Sequence, residues 1–288
     1  MIPDVIANPA ALRRRLHEIR QPNSSVGLVP TMGALHSGHA VLLETARREN
    51  DVVVASIFVN PLQFDRKDDL EAYPRTMQQD LQICADHGVD LVFAPSAADL
   101  YPQEQLTFVD SPFLSRHLCG EFRPGHFRGV ATVVLKLFNI VQPDRAYFGE
   151  KDAQQLAIIR RMVADLNVPT RIVAVPTVRE PDGLALSSRN KLLTSSERAI
   201  APVLSRALRE AIQSIESGTR SADLIEQSAI ALLASYPEVR VEYFKVADPG
   251  TLEPVRQIAG PALIAAAIWL GTTRLIDNIC WLPAGERN

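Results

Sequence analysis

The sequence predicts an α/β protein: a parallel-sheet domain over residues 1–178 and a smaller α+β domain over residues 179–288. Three observations predict it. From Ser25 to Val178, short runs rich in Val, Ile and Leu alternate with segments of helical periodicity. Two of those runs, Val52 to Val59 and Val89 to Ala94, are almost continuously apolar, as strands buried on both faces of a parallel sheet are. Near residue 180 the turn signal Pro181-Asp182-Gly183 interrupts the alternation, and two helices followed by three strands replace it.

The elements follow in order. Asn8 and Pro9 suit the cap and first turn of a helix running to about Ile19. Ser25 to Pro30 reads as a strand, and Ser37 or Gly38 opens a helix to about Glu49. After the strand Val52 to Val59, Thr76 to His87 is helical and stops at Gly88. Val89 to Ala94 is the next strand. Gly129 to Val141 is an apolar helix stopped before Pro143, and Arg145 to Phe148 is a short strand. Asp152 to Asn167 is a helix ended by Val168-Pro169, and Arg171 to Val178 closes the alternation. Crossovers of this kind give a Rossmann-like sheet covered on both faces. In the second domain, Thr194-Ser195-Ser196-Glu197 caps a long helix to about Ser217, ended by Gly218. A helix from Ala222 to Ser235 and strands Val239 to Val246, Ala262 to Leu270 and Arg274 to Trp281 complete it.

Composition narrows the function classes. Of the 288 residues, 47% are apolar and 22% charged, an ordinary globular balance that excludes a disordered chain. A net charge of −3 argues against a nucleic-acid partner held by bulk electrostatics. Cys84, Cys119 and Cys280 are odd in number and far apart, so neither a disulfide framework nor a zinc knuckle fits; each reads as a small buried hydrophobe. Met1 to Val5 shows no secretory signal, and the longest apolar stretch, Ala262 to Leu270, is short of the ~20 residues a bilayer span needs. The expected location is the cytoplasm, without a membrane partner.

The chemistry sits in loops at the ends of strands. Pro30-Thr31-Met32-Gly33-Ala34-Leu35-His36-Ser37-Gly38-His39 places two imidazoles three residues apart between a strand and a helix start. Unpaired amides and the helix dipole favour an anion there, so the segment reads as a nucleotide-phosphate site. Phe58 to Phe64 ends the next strand and carries Asn60 and Gln63, amides able to pair with hydroxyls and a carboxylate. Tyr73-Pro74-Arg75-Thr76 is followed by Asp80. Arg123 to Val130 includes Gly125, His126 and Gly129. Phe148-Gly149-Glu150-Lys151-Asp152 leads into Gln155, with Lys151 a compact charge suited to phosphate. Leu186-Ser187-Ser188-Arg189-Asn190, preceded by Val178 and Arg179, offers two hydroxyls and a guanidinium as a mobile clasp.

The decapeptide resembles the signature of the pantothenate synthetase (pantoate–β-alanine ligase) family, of the HIGH-type nucleotidyltransferase superfamily. The later segments match the family in the same order, from about residue 30 to residue 190. The last of them resembles the family's counterpart of the KMSKS loop of class I synthetases. The resemblance implies ATP-dependent ligation of (R)-pantoate and β-alanine through a pantoyl-adenylate, with AMP and pyrophosphate released. It implies an ATP site of Met32, Gly33, Ala34, Leu35, His36, Ser37, Gly38, His39, Gly149, Glu150, Lys151, Asp152, Val178, Leu186, Ser187, Ser188 and Arg189. His36, His39, Lys151, Ser187, Ser188 and Arg189 are the implied catalytic groups, and Gln63, Gln155 and Asn60 hold pantoate or β-alanine. Mg²⁺ is the implied cation, with Asp80 its weak contact through phosphates and water. A homodimer is implied as well.

The chemistry explains these residue types. Joining an acid to an amine in water needs an activated carboxylate, and adenylation supplies one. Imidazole, ammonium, guanidinium and hydroxyls offset charge building on the α-phosphate and the leaving group. Two roles are open to Asp152: accepting ribose hydroxyls or orienting Lys151. Arg123 has two as well, at the pantoate site or at a subunit interface, and His126 reads as structural. No residue stands out as the base for the β-alanine amine; loss of its proton to water or to a phosphate oxygen are both open. Two rival readings are a nucleotidyltransferase of the same superfamily, which has no need of Gln63 and Gln155, and a nucleotide-binding regulator without turnover.

Overall fold

A computed structural model describes residues 2–285. The chain divides into two compact units. The first comprises residues up to Ser111, Arg123–Glu150 and Ile158–Pro176; the second comprises Pro112–Phe122, Lys151–Ala157 and the chain from Thr177 onward. Two short segments that precede residue 178 thus belong to the second unit.

The first unit holds a six-stranded parallel sheet, in the order β1-β4-β3-β2-β5-β6. The strands are β1 (Asp4–Ile6), β2 (Val26–Thr31), β3 (Val52–Ile57), β4 (Leu91–Phe93), β5 (Arg145–Gly149) and β6 (Arg171–Val175). Between them run α1 (Pro9–Ile19), α2 (Ser37–Glu49), α3 (Lys67–Ala72), α4 (Met77–Asp86), α5 (Ala97–Leu100), α6 (Cys119–Phe122), α7 (His126–Val141) and α8 (Ala153–Asp165), of which α6 and the start of α8 lie in the second unit.

Local chemistry sets the ends of these elements. Asn8 caps α1, its side chain accepting the amides of Ala10 and Ala11 at 3.0 Å, with Pro9 at the first position. Every residue of β3 is buried, as a central parallel strand requires. Each large apolar side chain there contributes about 1.5–3 kcal/mol relative to exposure. One face of the sheet packs Val29, Val53, Ala55 and Val92 against Leu42, Leu43 and Ala46 of α2. The strand β1 is absent from the sequence reading. Three residues carry too little pattern, and its register with β4 (Asp4 beside Leu91, Ile6 beside Phe93) makes it a strand.

The second unit builds its main core on α9 (Ser195–Ile200), α10 (Val203–Glu216), α11 (Ala222–Ala234) and an antiparallel sheet in the order β7-β8-β9. Its strands are β7 (Val239–Ala247), β8 (Ala262–Leu270) and β9 (Thr273–Trp281). The longest apolar stretch of the sequence is β8, the central strand, buried at every position but Trp269.

Two expectations change. The long helix from Thr194 to Ser217 is two helices, broken at Ala201 and Pro202, because proline has no amide hydrogen to continue the ladder. Its predicted cap is present, with Thr194 Oγ1 accepting Glu197 N at 3.3 Å. Cys84 and Cys119 are buried, and burial followed by the charge of Asp80 pushes the Cys84 thiol up to about 12. Cys280 is exposed, on β9 at the edge of its sheet, so it is not a core residue.

Candidate active site

In the first unit the site grows from the carboxyl ends of β2 and β3, neighbours in the sheet. Thr31 Oγ1 donates to Ser56 O at 2.7 Å and accepts Gly33 N at 3.2 Å, which turns the chain at the strand end. Gly33 (φ +82°) and Ala34 (φ +51°) both take the left-handed conformation that makes the sharp bend. The strain at Ala34 is offset by Asp80, whose Oδ2 accepts Ala34 N at 3.0 Å and whose Oδ1 accepts Leu35 N at 2.8 Å.

Asp80 thus has a place in the loop as well as the cation contact the resemblance implies. It is 1% exposed, with Thr76 Oγ1 as a third donor at 3.1 Å. A carboxylate engaged by three donors in the interior holds the loop. Among the described residues, no group of three His, Cys, Asp or Glu is arranged to hold a metal ion.

The loop delivers two imidazoles. His36 caps α2, its Nδ1 accepting Gly38 N at 3.1 Å, while His39 Nδ1 accepts His36 N at 3.3 Å. The ring centroids lie 4.1 Å apart, inclined at 43°. A ring nitrogen that accepts an amide hydrogen carries no proton of its own. Both rings therefore hold their protons on Nε2 when neutral, and each Nε2–H is a hydrogen-bond donor.

Gln63 follows β3 on the turn Pro61–Gln63. Its Nε2 donates to Met32 Sδ at 3.0 Å, which joins the two strand-end loops. Its Oε1 accepts Asn60 Nδ2 at 3.1 Å. The amide is thereby oriented: the oxygen is held by a strong donor, while the nitrogen donates to a weak sulfur acceptor that a ligand oxygen can replace. Asn60, expected from the resemblance to hold substrate, is paired within the protein. It is 1% exposed, its Nδ2 also donates to Gly129 O at 3.1 Å, and its Oδ1 accepts Tyr101 Oη at 2.9 Å and Leu62 N at 3.3 Å. A buried amide so paired orients Gln63.

The Arg123–Gly129 segment, in which Arg123 is open from sequence to the pantoate site or a subunit interface and His126 reads as structural, holds the same turn. His126 Nδ1 donates to Gln63 O at 2.7 Å, and Arg123 Nη2 donates to it at 3.3 Å. Gly129 is required for close approach, since a Cβ there would lie 2.2 Å from Leu62 O. These long-range contacts leave no mark in local sequence. On β5, a Cβ at Gly149 would meet nothing within 4 Å, so no neighbouring protein atom demands glycine at that strand end.

In the second unit, Lys151 Nζ lies 3.9 Å from Asp152 Oδ1, which fits the orienting role for Asp152. The adjacent Gln154 is buried, donating to Leu114 O and His117 O, both at 2.8 Å, and accepting Gly120 N at 3.3 Å. Gln155, one position on, is half-buried, so the two glutamines have separate roles. Leu186 N donates to Val178 O at 2.9 Å, closing a hairpin that delivers Ser187, Ser188 and Arg189. Ser187 Oγ accepts Arg189 N at 3.2 Å and caps the turn Ser188–Leu192, while Asn190 Nδ2 donates to Glu180 Oε1 and Ala185 O, each at 3.1 Å.

Comparison with known proteins places this arrangement. A family model described as pantoate-beta-alanine ligase matches residues 4–280. A pantothenate synthetase of Moorella thermoacetica is 51% identical over 276 residues, covering 96% of this chain and 98% of its own. One from Sinorhizobium medicae is 55% identical over 283 residues, covering 98% and 97%. The crystal structure of pantothenate synthetase from Thermus thermophilus superposes with a TM-score of 0.89 at 46% identity, over 96% of this chain and 98% of that one. A pantoate-beta-alanine ligase from Francisella tularensis, complexed with beta-gamma ATP and beta-alanine, gives a TM-score of 0.80 at 36% identity, over 96% and 97%. On this family match and these relatives, the chain belongs to the pantoate–β-alanine ligase family and is a ligase of pantothenate synthesis.

Proposed function

We propose that the ligation runs through an enzyme-bound pantoyl-adenylate, with ATP as the activating substrate. The observation that carries this reading is the switch point of the parallel sheet. Strand order reverses between β2 and β5, and the carboxyl ends of these two strands carry the segments Met32–His39 and Gly149–Glu150. Open parallel sheets bind nucleotides at that place. The Francisella tularensis ligase, complexed with beta-gamma ATP and beta-alanine, supports the same ligand set.

In the first step, a carboxylate oxygen of (R)-pantoate attacks the α-phosphorus of ATP. The bond to the bridging oxygen breaks and pyrophosphate leaves. His36 and His39 donate Nε2–H to phosphoryl oxygens as charge develops. Lys151, Ser187, Ser188 and Arg189 offset charge on the leaving group. Gln63, through Nε2, and Gln155 hold the pantoate oxygens. In the second step the free amine of β-alanine attacks the acyl carbon, giving pantothenate and AMP. Magnesium belongs to this reading as part of the nucleotide substrate, in keeping with an ion that takes few protein ligands. The reading takes the enzyme as a cytoplasmic homodimer that uses neither nucleic acid nor membrane. Among the described residues, no helix is long and apolar enough to cross a bilayer.

The test separates the steps. With ATP, Mg²⁺ and pantoate alone, pyrophosphate appears at about one equivalent per site. AMP appears only when β-alanine is added. Folded, ATP-binding protein that releases no pyrophosphate on pantoate sinks the adenylate route.

A further inference from the structure

At the middle of β9 two polar residues stand side by side, Asp277 and Asn278. Neighbouring residues on a strand point to opposite faces, so their side chains serve different partners. Asp277 is 3% exposed and receives the Arg179 guanidinium in two bonds, Nη1 to Oδ2 at 2.6 Å and Nη2 to Oδ1 at 2.9 Å. Arg179 Nη1 also donates to Gly183 O at 3.0 Å. Arg179 lies in the hairpin paired through Arg179 and Ala185, which Ser187, Ser188 and Arg189 follow directly. Asn278 Nδ2 donates to the main-chain carbonyl of Lys151 at 2.8 Å.

We propose that Asp277 and Asn278 are positioning residues for the ligation. Asn278 sets the turn that carries Lys151. Asp277, through Arg179, sets the root of the Ser187–Arg189 loop. One strand thereby registers two phosphate-handling segments against each other. The inference rests on the assignment of Lys151 and Ser187–Arg189 to the phosphates.

The choice of residues argues for orientation over stability. A buried ion pair is commonly replaceable by apolar side chains of similar volume without loss of stability. What apolar side chains do not reproduce is the planar two-bond geometry, which fixes the direction of the guanidinium and of the hairpin with it. Lysine has a flexible four-carbon stem, so fixing its main chain narrows where the ammonium reaches. A displacement of about 1 Å in such a group lowers a rate about 100-fold.

The test compares Asn278→Ala, Asn278→Gln and Lys151→Ala. It measures pantoate-dependent pyrophosphate release, equilibrium pantoate binding without ATP, and the urea midpoint. For Asn278→Ala the rate is expected to fall about 10- to 100-fold. Pantoate affinity should stay within about 2-fold of wild type and the midpoint should barely move. Asn278→Gln, which keeps a donor, should recover part of the rate. For Asp277, the paired Arg179→Gln/Asp277→Asn variant avoids an uncompensated buried charge, and its KM for ATP should rise about 10-fold. A wild-type KM in that variant overturns the role of Asp277. Wild-type release in Asn278→Ala with slow release in Lys151→Ala overturns the positioning role and leaves the phosphate assignment standing. Wild-type release in both removes the phosphate assignment and the inference with it. Pantoate binding lost together with rate in Asn278→Ala shows general disruption and overturns the inference.

Discussion

Asp80 and Leu35 lie 45 positions apart in sequence, yet Oδ1 of the first accepts the amide of the second at 2.8 Å. With Ala34 N bound to Oδ2, this one carboxylate holds the bend that places His36 and His39. Asp80→Asn replaces one acceptor oxygen by a donor that faces an amide hydrogen. The expected loss is about 1–3 kcal/mol of stability in urea denaturation, with a fall in pyrophosphate release. The Mg²⁺ concentration for half-maximal activity should not change. A shift in that midpoint would tie Asp80 to the cation.

Gly129 gives a prediction about pantoate. A Cβ there would lie 2.2 Å from Leu62 O and 2.7 Å from Gln63 N, both main-chain atoms, so the turn bearing Gln63 must move. Gly129→Ala is expected to destabilise by about 1–3 kcal/mol. It should also raise the KM for pantoate about 10-fold while leaving that for ATP nearly unchanged. Equal effects on both substrates would mean that the turn does not act on pantoate.

The two nitrogens of His39 can be separated. Nδ1 accepts His36 N, and Nε2–H is the proposed donor to phosphate. Asparagine reproduces the Nδ1 acceptor and lacks the Nε2 donor. His39→Asn should keep the urea midpoint and lose about 100- to 1,000-fold in pyrophosphate release. Wild-type turnover in that variant would remove His39 from the chemistry.

The hairpin before Ser187 carries a pH signature. The Arg198 guanidinium, by hydrogen bond, holds the Asp182 carboxyl below the usual carboxylate range. A carboxyl with a depressed folded pKa adds stability above its unfolded value of about 3.9, and loses it as pH falls through the lower folded value. The pair is partly exposed, so the contribution is at most about 1 kcal/mol. Urea midpoints measured from pH 6 down to about pH 2 should fall less steeply for Asp182→Asn than for wild type. Parallel curves would show that the pair adds nothing to folding.

Periodicity and caps made most of the parallel sheet legible from sequence. Asn8 and Pro9 mark the start of α1, and the continuous apolar run of β3 marks a buried strand. The strand–loop–helix segment at Met32–His39 marked the nucleotide edge for the same reason: its chemistry is written in consecutive residues. The tertiary structure decided what each polar group there is free to do. Asn60 and Gln63 carry the same amide, three positions apart, and look equally suited to a substrate. Tyr101 and Gly129 bind Asn60, whereas the nitrogen of Gln63 donates to the weak acceptor sulfur of Met32. Asp80, an ordinary helix carboxylate by pattern, became the anchor of a loop 45 positions away. A local window records what a side chain is able to bind. Which of those bonds the protein itself completes depends on partners that only folding brings within hydrogen-bond distance.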